Sequence, residues 1–166
     1  MDFIKTHKKI ALVTGAALVV MLVGIVFAVL QGGKTEPGTA PIVEDTGFQT
    51  ILPSGKTIKD LGGWERISPL NTAPVFAYAD KIDDVSISIS QQPLPFTGNI
   101  DEQVGQLAAA YSATNTLDAS GTKVYIGTSA KGPQSTIFSK KDLLVLIKSQ
   151  AKINNESWTR YISSLQ

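Results

Sequence analysis

A serine and a lysine three residues apart can act together in acyl transfer, the amine taking the hydroxyl proton. The chain has that spacing twice, at Ser149 to Lys152 and at Ser120 to Lys123. In acyl-enzymes such a serine opens a buried helix with further motifs around it, whereas here one copy sits at a strand exit and the other in a turn, so catalysis is not expected. Gly127 and Gly132 match the first half of a phosphate-cradling loop. The lysine and hydroxyl residue that should follow are replaced by Pro133 and Gln134, and proline removes a backbone donor where donors should converge on phosphate. The stretch therefore reads as a hairpin turn. Asp80, Asp83 and Asp84 crowd another turn and could hold calcium or form an acid/base pair. The twelve-residue spacing of a calcium loop is missing and turns collect solvated aspartate, which leaves at most a weak calcium site open there.

Histidine and cysteine chemistry is narrowly bounded. The chain has no cysteine, and its one histidine, His7, lies close to the N-terminus. Beyond residue 30 neither residue is present, which removes most transition-metal sites and every mechanism that depends on either residue. No cofactor is expected. From Gln31 onward, 12 Lys and Arg face 13 Asp and Glu, a net charge of −1, so no basic face for nucleic acid is implied; the failed phosphate-loop pattern at Pro133 and Gln134 argues against a nucleotide partner.

Two features look like a contact surface. Ser86, Ser88 and Ser90 alternate with Val85, Ile87 and Ile89, which gives a strand with one buried face and one hydroxyl-lined face. Gln91 and Gln92 then precede "PLPF". These five residues could meet a peptide or a glycan; a sheet face turned to water accounts for the serines equally well.

The elements that must carry these residues follow from patterning. Ile10 to Leu30 is a 21-residue run without a charge, about 31 Å long as a helix, enough to cross a hydrocarbon core about 30 Å thick. Secretory signals have shorter apolar cores and end in small residues, whereas this run exits through "FAVLQGG", which favours an uncleaved anchor. Lys5, Lys8 and Lys9 precede it and acidic residues follow, so residues 1–9 are expected in the cytoplasm and the rest outside. Residues 31–47, rich in Gly, Pro and Thr, read as a flexible linker, and residues 48–166 as one extracytoplasmic domain.

Within that domain, "FQTILPSGKTI" suggests a short hairpin, and "PVFAYADKIDDVSISISQQ" a stronger one turning at Asp80 to Asp84. Asn99 with Glu102 resembles a capping box for a helix carrying Val104, Leu107, Ala108 and Tyr111. "TKVYIGTS", "QSTIFSK" and "DLLVLIKSQ" read as three strands, the last apolar without alternation and so central. A closing helix capped by Asn154 or Asn155 puts Trp158, Tyr161, Ile162 and Leu165 on one side. The expected fold is α+β: after the N-terminal transmembrane helix, an antiparallel sheet of about five to seven strands packed by two helices.

The run from "GGWERISP" through "ISISQQPLP" to "YIGTSAKGPQSTIFSKKDLLVLIKSQAKINNESWTRYISSLQ" resembles small, uncharacterised single-pass membrane-anchored proteins of candidate-phylum bacteria such as the Saccharibacteria. Its ending is more distantly similar to extracytoplasmic domains of unknown function in anti-sigma-like membrane proteins. The resemblance implies a bacterial cell-envelope location and brings no catalytic residues. About nine residues before the span are too few for a sigma-binding domain. The expectation is a non-catalytic binding or assembly domain engaging an envelope protein, a peptide or a cell-wall glycan, with a membrane-held carrier of lipid or another apolar ligand as the alternative.

Overall fold

The computed structural model describes residues 47–166; the apolar run at residues 10–30 and almost all of the linker lie outside them. No helix among the described residues is long and apolar enough to cross a membrane. The order of elements is β1 (Glu65–Arg66), β2 (Phe76–Ile82), β3 (Val85–Pro93), α1 (Ile100–Ala110), β4 (Asn115–Ala119), β5 (Thr122–Thr128), β6 (Gln134–Lys140), β7 (Leu143–Ser149) and α2 (Asn155–Ser164).

Local turns build two meanders. Ile82 pairs with Val85, Ala119 with Thr122 and Lys140 with Leu143, so each of these hairpins turns in two residues. In every case both turn residues have positive φ: Asp83 and Asp84, Ser120 and Gly121, Lys141 and Asp142. That backbone matches the right-handed twist of the flanking strands, which is why such turns suit tight hairpins. The acidic turn is therefore narrower than the five residues expected, and Asp80 belongs to β2. The stretch from Gly127 to Gly132 is the end of β5 and the loop to β6, closed by Ser129 N–H donating to the Pro133 carbonyl at 2.9 Å.

The meanders β1-β2-β3 and β4-β5-β6-β7 join through β3 and β7, giving one antiparallel seven-stranded sheet ordered β1-β2-β3-β7-β6-β5-β4. β7 is the fourth of seven strands, and its unbroken apolar run fits that place. Leu143, Val145 and Ile147 pack with Trp158, Tyr161 and Ile162 of α2, and Leu144 and Leu146 with Val104 and Ala108 of α1. Successive side chains leave a strand on opposite faces, so the helices cover opposite sides of the sheet in an α+β domain.

Both helices start where their caps predict. The Asn99 side chain accepts from Glu102 N–H and its amide donates back to the Glu102 carboxylate, each at 3.3 Å. At α2 the cap is Asn154, accepting from Ser157 N–H at 2.8 Å; a cap of this kind is worth about 1 kcal/mol.

The hairpin expected from "FQTILPSGKTI" does not form. Leu52 N–H donates to the Gln166 carbonyl at 3.1 Å and Gln166 N–H returns the bond at 2.9 Å, so this segment pairs with the end of the chain. Ile51 is bonded by a side chain: its N–H donates to Gln91 Oε1 at 2.9 Å, and Gln91 Nε2 donates to its carbonyl at 2.6 Å. Gln91 thus does the work of a neighbouring strand. Gln134 plays a similar part, its Oε1 accepting from Ile153 N–H at 2.7 Å and from the Trp158 indole at 3.0 Å.

Candidate functional site

The serine stripe meets a lysine that strand pairing alone brings to it. Ser88 lies directly opposite Ala79 on one side and Lys148 on the other, and Lys148 lies opposite Ser135. Ala79, Ser88, Lys148 and Ser135 therefore form a row across β2, β3, β7 and β6, on the face that carries α1. The adjacent row sets Lys81 opposite Ser86. Side chains facing each other across antiparallel strands have Cβ atoms about 5 Å apart, so hydroxyls flank the Lys148 stem on both sides.

Helix α1 packs over β5 and β6, against Tyr125, Ile137 and Leu144, to one side of these rows. Two glycines set its position. A Cβ on Gly127 would lie 3.1 Å from the Ser112 carbonyl oxygen and 3.2 Å from Ala113 Cα, and one on Gly105 would lie 2.9 Å from the Tyr125 hydroxyl. Ser86, Ser88, Ser135 and Lys148 are half-buried, while Ala79 and Lys81 are exposed.

Burial holds the Lys148 ammonium below the usual lysine range. Among the described residues no hydrogen bond or ion pair reaches that ammonium, and no carboxylate stands in either row. A partly desolvated cation without a counter-ion is better solvated by an incoming anionic or strongly hydrogen-bonding group than by the surface it leaves. The chemistry available is recognition: one cation, a second at the rim in Lys81, and hydroxyls that donate or accept.

The five residues expected to form a contact surface separate. Ser86 and Ser88 are half-buried on the face that carries α1. Ser90 is buried and donates to the Leu146 carbonyl at 3.3 Å, and Gln92 is buried opposite Leu144. Gln91 is 0% exposed on the other face of the sheet, its amide bonded to both backbone groups of Ile51, so it belongs to the core and not to the surface. Ser135 and Lys148 were missed because they are 47 and 60 residues from Ser88 in the chain and only strand register connects them.

The other candidate groups are engaged elsewhere. Asp80 accepts from Lys56 Nζ at 2.6 Å and from the Tyr161 hydroxyl at 3.0 Å, while Asp83 accepts from the Ser157 hydroxyl and from Arg160 at 3.1 Å. Asp84 is exposed in its turn. Among the described residues no three of His, Cys, Asp and Glu gather as a metal site requires. Burial pushes the Tyr161 phenol, and that of its neighbour Tyr78, far above the ordinary tyrosine value. Ser149 donates to the Ala151 carbonyl at 2.6 Å and Ser120 to Ser163 at 2.9 Å, so neither hydroxyl turns to the lysine three residues on.

No protein-family model, curated protein or solved structure matches this chain.

Proposed function

We propose that the protein is a membrane-tethered, non-catalytic binding or assembly domain of the cell envelope. It lies outside the cytoplasm on a single span and engages an envelope protein, a peptide or a cell-wall glycan through the open half of the sheet beside α1. The observation that carries the reading is the half-buried Lys148, which has no partner among the described residues, between Ser88 and Ser135 to one side of α1. The charge-free run from Ile10 to Leu30, with lysines before it, supports the tether and its orientation.

The carrier alternative requires an empty apolar space beneath a helix. Trp158, Phe76, Phe138, Ile89, Ile147 and Ile162 are each at most 2% exposed and pack the α2 side of the sheet, which weighs against it.

The test is photo-crosslinking in native membranes, with a photoreactive side chain at position 88 and, as control, at exposed Lys59 away from this face. The reading expects a reproducible partner captured from position 88 only, with capture falling when Lys148→Gln is added. Equal capture from both positions, or capture indifferent to Lys148→Gln, would sink it.

A further inference from the structure

We infer that the opposite face of the domain carries a second, small-molecule site, suited to a monoanionic polyhydroxylated ligand such as a carboxylated monosaccharide. Asn115 pairs with Ile126 across β4 and β5, and Thr128 with Gln134 across β5 and β6. The four side chains leave the sheet on the side covered by α2 and floor an open groove of about 360 Å³. Lys152, from the connection after β7, and Asn155, the first residue of α2, line its rim, and Thr116 borders it with its side chain leaving β4 on the other face.

The floor is rigid. The Gln134 carboxamide is fixed by Ile153, by Trp158 and by its own bond to Thr128 Oγ1 at 3.2 Å, so the groove does not depend on a mobile side chain for its shape. Three of the polar side chains are unspent. Among the described residues Asn115, Lys152 and Asn155 make no side-chain hydrogen bond or ion pair within the protein, and all three are exposed.

The chemistry of the lining selects the ligand. The carboxamides of Asn115 and Asn155 and the Thr128 hydroxyl offer donors and acceptors together, which suits vicinal hydroxyl groups. The single ionisable residue of the lining is a cation, and the nearest carboxylate in the chain, Glu156, is not part of the lining, so one negative charge is matched and a cationic ligand is disfavoured. At about 360 Å³ the groove is at the small end of ligand pockets of roughly 300–1,000 Å³, room for one sugar ring and its carboxylate. The Ile126 side chain gives the ring an apolar floor.

The experiment is a titration of the full-length protein in detergent micelles, followed through backbone amide resonances, with glucuronate, glucose and acetate as separate probes. Glucuronate is expected to shift Thr116, Thr128, Lys152 and Asn155 saturably in the millimolar range, with glucose about tenfold weaker. Lys152→Gln is expected to lower glucuronate affinity to that of glucose. Lys152 is exposed, so the variant keeps the fold, which an unchanged spectrum elsewhere verifies. No saturable shift at these residues up to about 50 mM glucuronate would overturn the inference. So would acetate matching glucuronate, or Lys152→Gln leaving affinity unchanged. The groove and the row around Lys148 lie on opposite faces, so a failure here leaves the proposed contact surface standing.

Discussion

Replacing Gln91 with methionine isolates what a buried carboxamide does when it stands in for a strand. Methionine keeps nearly the volume of glutamine, so the cavity contribution is small, and the loss falls on the Ile51 N–H and carbonyl. Ile51 is 0% exposed, so water cannot take over either bond. Leaving a buried backbone group unsatisfied costs about 1–3 kcal/mol, and two such groups give about 2–5 kcal/mol once partial relaxation is allowed. Against a typical total of about 5–15 kcal/mol this is a large share. At about 4 °C per kcal/mol for a domain of this size, the midpoint of thermal unfolding should fall by about 8–20 °C. Tryptophan fluorescence of Trp64 and Trp158 reads the transition, and amide exchange at Ile51, Leu52 and Ser54 should quicken more than at β7. A change below about 0.5 kcal/mol, with protection of Ile51 retained, would refute the reasoning, because an unsatisfied buried pair cannot be that cheap.

Four further outcomes follow from the packing. Thr136 is 0% exposed and its hydroxyl has no partner among the described residues, so Thr136→Val should raise stability by about 1 kcal/mol in chemical denaturation. Gly127→Ala should cost about 1–3 kcal/mol, because its Cβ would press on the backbone of Ser112 and Ala113. Gly105→Ala should be nearly neutral by the same measurement, since the movable Tyr125 hydroxyl can yield and alanine favours the helix by about 1 kcal/mol. Tyr78 and Tyr161 keep their protons in the folded state to higher pH than in the unfolded chain, so their contribution is complete below pH 10 and is lost as pH rises above it. Equilibrium unfolding across that range should show falling stability, and Tyr78→Phe, which also removes a buried hydroxyl lacking a partner among the described residues, should flatten the fall.

Much of the fold was readable where one side chain after another repeats a period. The alternation through Ile87 and Ile89, the unbroken apolar run of β7 and the asparagine caps of both helices each carry a local physical cause, and each element stands where that cause puts it. β4 has no such signal: "NTLDA" buries only Ala119, because an edge strand with one covered face needs little apolar surface. The segment from Phe48 to Ile58 reads as a hairpin because its turn residues are right, yet its bonds go to Gln91 and to Gln166, which are distant in sequence. The contact surface divides the same way. Alternation put Ser86 and Ser88 on the face away from Ile87 and Ile89, but it could not separate a glutamine that faces outward from Gln91, which faces the core, nor attach Lys148 to a serine in another meander. Register supplies both, and register is not written in any one stretch.

The joining of two meanders at their centre also shapes how the molecule assembles. Within each meander, strands next to one another in the chain are next to one another in the sheet, so their ladders can close early at small loop-closure cost. The ladder between β3 and β7 is different, since Ile89 must find Ile147 across 58 residues that include α1 and three other strands. Every other strand pair can zip from its own turn; this one must be found by diffusion. Nucleation at that central ladder is then the slow step, and substitutions that weaken Ile89 against Ile147 should slow folding more than they speed unfolding.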